Sequence, residues 1–173
     1  VPGTRRLSQR ISEGDGIAII VAVGDVDAAR AAEDQGAKAV AVEHAIAGIR
    51  DATGLPILWI GSEAAVEADA VAVKADAEPG SHELEQVVDV CDEDELERAL
   101  EHQDPEIFLL SPREGDHDDL LEAILELLPD VPAGKLAIAN VEVTTRDEVL
   151  TLERAGIDAV LVQSASVSEL VGA

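Results

Sequence analysis

An alternation restricts this chain more than any other feature. Short aliphatic runs and amphipathic segments follow one another throughout the sequence. "GIAIIVAV" (16–23) is apolar at every position, as a strand covered on both faces must be. "DVDAARAAEDQGA" (25–37) follows with apolar residues at helical spacing, an Asp near its start and Gly36 near its stop. The same order predicts strands at 38–43, 55–61, 69–76, 87–91, 105–111, 134–140 and 157–163. It predicts helices at 44–54, 62–68, 92–102, 116–129, 144–156 and 164–173. The stretch 77–86, with Pro79 and Gly80, leaves room for little more than a helical turn. Eight unbroken aliphatic strands, each with a following helix, predict a small closed (βα)8 TIM barrel with shortened helices and loops. An open doubly wound sheet is the alternative, but it suits fewer strands. Residues 1–173 read as one domain, with 1–14 a helical or loose N-terminal segment. "AAEDQGAKAVAVE", "AAVEADAVAVKAD" and "LERAGIDAVLVQ" each run from a helix end into a strand, a weak internal repeat.

The charge balance narrows the partners. Asp and Glu total 37 against 12 Lys and Arg, a net charge of -25. Nucleic acid and anionic membrane surfaces are excluded as partners, because both need cationic side chains. An acidic, solvated surface is expected, of the kind that keeps a halophilic protein soluble where salt screens its self-repulsion. Cys91 is the only cysteine, which rules out an internal disulfide and Cys-x-x-Cys metal sites. No metal and no cofactor are implied. The opening "VPGTRRLSQRISEGDG" lacks the apolar core of a secretion signal, and no apolar run reaches the length of a membrane span. A cytoplasmic location is the expectation.

One polar residue is out of place. Asp89 stands between Val88 and Val90 in a strand that should be buried. Lys74 lies near the end of the preceding strand, and neighbouring strands about 4.8 Å apart would let the two side chains meet. They read as an acid–base pair, as a lysine poised for Schiff-base chemistry, or as a structural ion pair that satisfies two buried charges. Glu43 and His44 end the second strand and could join them, or could serve as a cap or surface contact. Asp116, His117, Asp118 and Asp119 precede an amphipathic helix, where capping explains them better than a cation site does. Trp59 is expected to pack outward between helices.

Two stretches carry a family resemblance. "VVDVCDEDELERAL" (87–100) resembles the fifth strand and following helix of indole-3-glycerol phosphate synthases, Leu-Val-Glu-Val-His then Asp-Glu-x-Glu-Leu-x-x-Ala-Leu. "VPAGKLAIANVEVTTRDEVLTLERAGIDAVLVQSASV" (131–167) resembles their seventh and eighth units. The pattern covers roughly residues 17–167 and implies the barrel fold. It implies an enzyme that closes an indole ring on a phosphorylated substrate, using lysines and carboxylates at the strand ends. Here those positions are largely emptied. The first-strand Glu and Lys fall on Ile19 and Val21, and the third-strand lysine falls on Ile60. The fifth-strand glutamate becomes Asp89. After strand six Ser111 replaces an asparagine and Arg113 is kept. Asn140, Val141 and Glu142 stand for a Glu-Ser-Gly, and Gln163, Ser164 and Ala165 follow where a glycine opened the last loop. An alkyl group can neither donate a proton nor stabilise an anion, so ring closure is not expected.

Asp89 and Asn140, at positions that the resemblance implies, and Lys74, from its place beside Asp89, are the remaining catalytic candidates. Ser111, Arg113, Gln163 and Ser164 are the ligand-binding candidates, with a small anionic or phosphorylated ligand. Three functions stay open: a non-catalytic binder of a small molecule or partner, a lyase or isomerase of changed chemistry, and a ligandless scaffold. A mouth plugged by Ile19, Val21 and Ile60 would favour the scaffold; a tight Lys74–Asp89 cluster under an open mouth would favour the enzyme.

Overall fold

Eight parallel strands hydrogen-bond in chain order and close on themselves, β1 against β8. They are β1 (Ala18–Ala22), β2 (Ala39–Val42), β3 (Ile57–Trp59), β4 (Ala70–Lys74), β5 (Glu85–Val90), β6 (Ile107–Leu110), β7 (Leu136–Asn140) and β8 (Ala159–Gln163). Between them lie α1 (Val26–Asp34), α2 (Ile49–Ala52), α3 (Glu93–His102), α4 (Leu120–Leu127) and α5 (Arg146–Ala155), with a 3-10 turn at Leu128–Asp130. This computed structural model describes residues 7, 11, 17–44, 46–60, 68–74, 85–102, 105–111, 120–132, 134–140 and 146–163. The architecture is the expected small (βα)8 barrel. Among the described residues no helix is long and apolar enough to cross a membrane.

Three elements differ from their sequence-based expectation. The helix expected at 44–54 shrinks to Ile49–Ala52, because Gly48 in front of it takes a left-handed φ of 79° that no helix can contain. β5 starts at Glu85, inside the stretch read as a helical turn, since Glu85 and Gln86 extend the ladder opposite Ala70 and Val71. The helix ending near Pro129 gives way after Leu127 to the 3-10 turn, in which Pro129 sits. All but the last residue of the helix expected at 62–68, the whole of that expected at 164–173, the stretch 77–84 and the segment 116–119 lie outside the described residues.

Local chemistry explains the rest. Asp25 caps α1, its Oδ1 accepting from the Ala28 amide at 2.7 Å. Gly36 closes it at φ 100°, with Gly36 N–H on the Glu33 carbonyl and Ala37 N–H on the Ala32 carbonyl. Gly156 closes α5 in the same way, on Glu153 and Leu152. The repeat continues into the strands. Asp69 and Asp158 each precede a strand and clamp the one before it. The Asp69 amide donates to the Ile57 carbonyl, and its Oδ2 accepts from the Ile57 amide, both at 2.9 Å. The Asp158 amide donates to the Ala137 carbonyl at 3.0 Å, and its Oδ2 accepts from the Ala137 amide at 2.9 Å. Asp69 is 5% exposed and also accepts from Arg50 Nη1 at 3.0 Å.

Burial separates two apolar layers. Outward-facing Ile19, Val21, Val40, Val42, Ile57, Trp59, Val88 and Val90 pack beneath the helices with Ala29, Leu96, Ile124, Val149 and Leu152. Trp59, 1% exposed, therefore sits outside the barrel as expected. The lumen holds Ala18, Ile20, Ala39, Ala41, Leu58, Ala70, Val87, Ile107, Leu109, Ile138, Ala159 and Leu161, joined by Leu7 and Ile11 from the N-terminal segment.

The registers order the lumen. Lys74 pairs with Asp89, and the line continues through Leu109, Ile138 and Ala159 to Ala18; Ala22 pairs through Ala41 and Leu58 to Ala70. One circuit thus shifts the register by about eight residues, the stagger of this barrel class. At constant height the positions advance one residue per strand, so alternate strands supply tiers. Ala39, Ala70, Ile107 and Ala159 form one; Ile20, Leu58, Val87 and Ile138 the next; Ala41, Ala72, Leu109 and Leu161 the third. Above them stand Ala22, Ile60, Asp89 and Asn140, where polarity begins.

Candidate functional site at the barrel mouth

The polar groups collect on one arc of that upper rim. Asp89 points inward from β5, and Lys74, its register partner, ends β4. Lys74 Nζ donates to Asp89 Oδ2 at 2.7 Å. The carboxylate is 19% exposed and the ammonium arm 71%. The hydrogen bond to Asp89 is the main cause holding the Lys74 pKa above its ordinary 10.5; desolvation opposes it, and the charges of Asp89, Glu95 and Cys91 reinforce it. Lys74 is therefore an ammonium at neutral pH, which runs against the neutral amine that Schiff-base chemistry needs. One β-strand further round, Ser111 follows β6 and Asn140 ends β7, and Asn140 Nδ2 donates to Ser111 Oγ at 3.0 Å. Four sequence-based candidates thus become two bonded pairs on four consecutive strands.

The motif after Asp89 has a local explanation. The Glu95 amide donates to Asp92 Oδ1 at 2.9 Å, and Glu95 Oε1 accepts from the Cys91 amide at 3.0 Å. The acidic run opens α3 as a variant of the capping box, so these carboxylates secure a helix start. Cys91 is half-buried, with Sγ 3.8 Å from Asp92 Oδ2.

Other expectations need correction. Ile19 and Val21 do not line the mouth; they lie under the helices, and the lumen positions of β1 are Ile20 and Ala22. The period of two turns a one-residue misalignment into a change of face. Glu43 and His44 are exposed after β2, and among the described residues no hydrogen bond links them to the Lys74–Asp89 pair. Gln163 ends β8 in register with Ala22. Arg113, Ser164, Glu142 and the 116–119 cluster lie outside the described residues. The Ser111–Asn140 contact and the Ala72 floor were missed. Propagating the inward phase of Asp89 around the barrel would have found both. Among the described residues no cluster of His, Cys, Asp and Glu could hold a metal. A cavity of about 260 Å³ lies elsewhere, on the outer wall between α3 and Asp130, and none of the candidate residues lines it.

A closed parallel barrel whose polar groups gather at the C-terminal strand ends is the (βα)8 class, in which function is carried at that face. The N-acetylmannosamine-6-phosphate 2-epimerase of Clostridium perfringens superposes with a TM-score of 0.66 at 15% identity, covering 90% of this chain and 89% of its own, and it supports the fold alone. No family model matches the chain. By sequence it is a relative of indole-3-glycerol phosphate synthases. That of Acidithiobacillus ferrooxidans is 32% identical over 140 residues, 69% of this chain and 53% of the relative. That of Variovorax paradoxus is 38% identical over 79 residues, 46% of this chain and 30% of the relative. The chain thus spans about half or less of the curated relatives it matches.

Proposed function

We propose that this barrel does not close indole rings and that its mouth binds a small polar molecule without turnover. The observation that carries the reading is the alkyl character of the lumen where the resemblance implies charge. On β1 neither the lumen positions Ile20 and Ala22 nor the outward Ile19 and Val21 bear a titratable group, and Ile60 after β3 bears none. Proton donation and anion stabilisation need groups that these side chains lack. Binding is supported by access: Ala22 and Ile60, in the tier of Asp89 and Asn140, and Ala72, one tier below, stay partly exposed. The scaffold reading loses its support, because two of its three plugging residues face away from the mouth. The changed lyase or isomerase keeps one favourable observation, the contact of Lys74 with Asp89 in the tier that Asn140 shares. The acidic composition fits a cytoplasm of high salt.

The test is direct. Incubation with the phosphorylated ring-closure substrate is expected to release no indole product by absorbance, and turnover would overturn the reading. A melting screen against small polar compounds at high salt is expected to find a ligand whose stabilisation disappears in Asp89→Ala.

A further inference from the structure

We infer that the cavity on the outer wall, between α3 and the 3-10 turn, binds an aliphatic diamine or polyamine. The site is separate from the mouth and does not depend on the binding reading above.

The lining combines two chemistries. The cavity, about 260 Å³ in volume, is lined by Glu93, Leu96, Glu97, Leu100 and Asp130. The first four stand at i, i+3, i+4 and i+7 on α3 and so share one face of that helix. Asp130 comes from the 3-10 turn that follows α4. Leu96 is 1% exposed and belongs to the apolar layer beneath the helices, and half-buried Leu100 packs against the same layer. These two form a hydrocarbon floor. Glu93, Glu97 and Asp130 are exposed around it. Among the described residues no hydrogen bond or ion pair engages any of these three carboxylates. Arg98, on the same helix, turns its Nε to the Asp94 carbonyl at 3.4 Å and does not line the cavity.

This combination selects the occupant. Among the described residues no group of acidic, His and Cys side chains could hold a metal ion, so these carboxylates do not converge on one inorganic cation. A cation whose charge is spread along a chain meets them separately. A neutral apolar molecule would cover the leucines and leave the anions unmatched. An alkyl chain carrying ammonium groups covers the leucines and pairs with the carboxylates. Glu93 and Glu97 are four residues apart, about 6 Å along the helix axis. That is close to the span of a four-carbon chain between two ammonium groups. Like charges at this spacing strain a helix, and a bound dication relieves the repulsion. The volume lies just under the range of about 300–1,000 Å³ that accommodates drug-sized ligands, which suits a slender chain. The net charge of -25 draws polycations toward the surface as a whole.

That general attraction sets the controls for the test. Calorimetry on the full chain compares 1,4-diaminobutane and spermidine with n-butylamine, Mg²⁺ and trilysine, at the lowest salt at which Trp59 fluorescence reports a folded protein. At least one of the two amines is expected to bind saturably at one site, at least tenfold more tightly than Mg²⁺ or n-butylamine. Glu97→Gln, Asp130→Asn and Leu100→Ala should each weaken that binding at least fivefold, with folding checked by fluorescence. Glu122→Gln removes the same charge from the exposed surface of α4, outside the lining, and should change it less than twofold. Mg²⁺ binding as tight as either amine overturns the inference, because the hydrocarbon floor would then contribute nothing. Equal losses in Glu122→Gln and the lining variants overturn it in favour of diffuse attraction. Tighter binding of trilysine than of both amines overturns it in favour of a basic polypeptide, and no saturable amine binding overturns it outright.

Discussion

Replacing Asp69 by alanine tests whether the strand clamps are real supports of the barrel. The substitution leaves the Ile57 amide, buried at the start of β3, without the oxygen it meets at 2.9 Å. A buried donor stranded in this way costs about 1–3 kcal/mol. Arg50 also loses this contact, but its side chain is 32% exposed, and solvent limits that loss to about 1 kcal/mol or less. The sum is about 3 kcal/mol, or a fall in Tm of roughly 6–12 °C for a chain of this size. Asp69→Asn keeps an oxygen for Ile57 and gives up only the ion pair, so it should cost about 1 kcal/mol. Urea unfolding followed by Trp59, two residues along the same strand, reports both. A loss below about 1 kcal/mol in the alanine variant, or equal losses in the two variants, would refute the stranded-donor reasoning.

The second clamp should behave differently. Burial pushes the Asp158 carboxyl above its ordinary 3.8, with the Ala137 amide pulling the other way. A raised carboxyl contributes stability that is complete below the unfolded value and lost as pH climbs through the folded one. Asp158→Asn should therefore gain on the parent as pH rises from near 3.8 to 7, measured by Tm against the Glu122→Gln control. A gain that is flat with pH would sink this. Lys74→Ala should change stability by less than about 1 kcal/mol because the arm is 71% exposed; a loss of several kcal/mol would mark the pair as a structural support. Borohydride trapping with an aldehyde should leave Lys74 unmodified at neutral pH and label it only as pH approaches its raised pKa; labelling at neutral pH, located by mass spectrometry, would contradict the ammonium assignment. Leu7→Ala, in a fully buried site at the lumen, should cost about 3 kcal/mol, read by urea unfolding, and a near-neutral effect would mean that the segment does not support the barrel.

The architecture was legible because a parallel barrel buries its strands on both faces, and runs such as "AIIVA" and "AVAV" advertise that environment. The same property hid the site. With Ala, Val and Ile at every position of β1, nothing in the composition distinguishes lumen from outer wall, and the expected inward residues came out one position off. Asp89 was readable because a carboxylate breaks the run, and its partner followed from strand spacing alone. Ser111 and Asn140 were readable singly but not as a pair, since their contact depends on the stagger between β6 and β7. The shortened helix at Ile49–Ala52 shows the reverse weakness: helical spacing at 44–54 was overridden by one left-handed glycine.

The tiers carry one more implication. Ala22 and Ile60 share their height with Asp89 and Asn140, and the storey below them on β2 and β4 is furnished with alanines. Small side chains therefore floor the rim tier on the β2 and β4 side. A lysine installed at Ala22 or Ile60 would stand in the same tier as the Asp89 carboxylate. The register thus offers two partly exposed rim positions at which side-chain exchange alone would set an amine in the tier of Asp89.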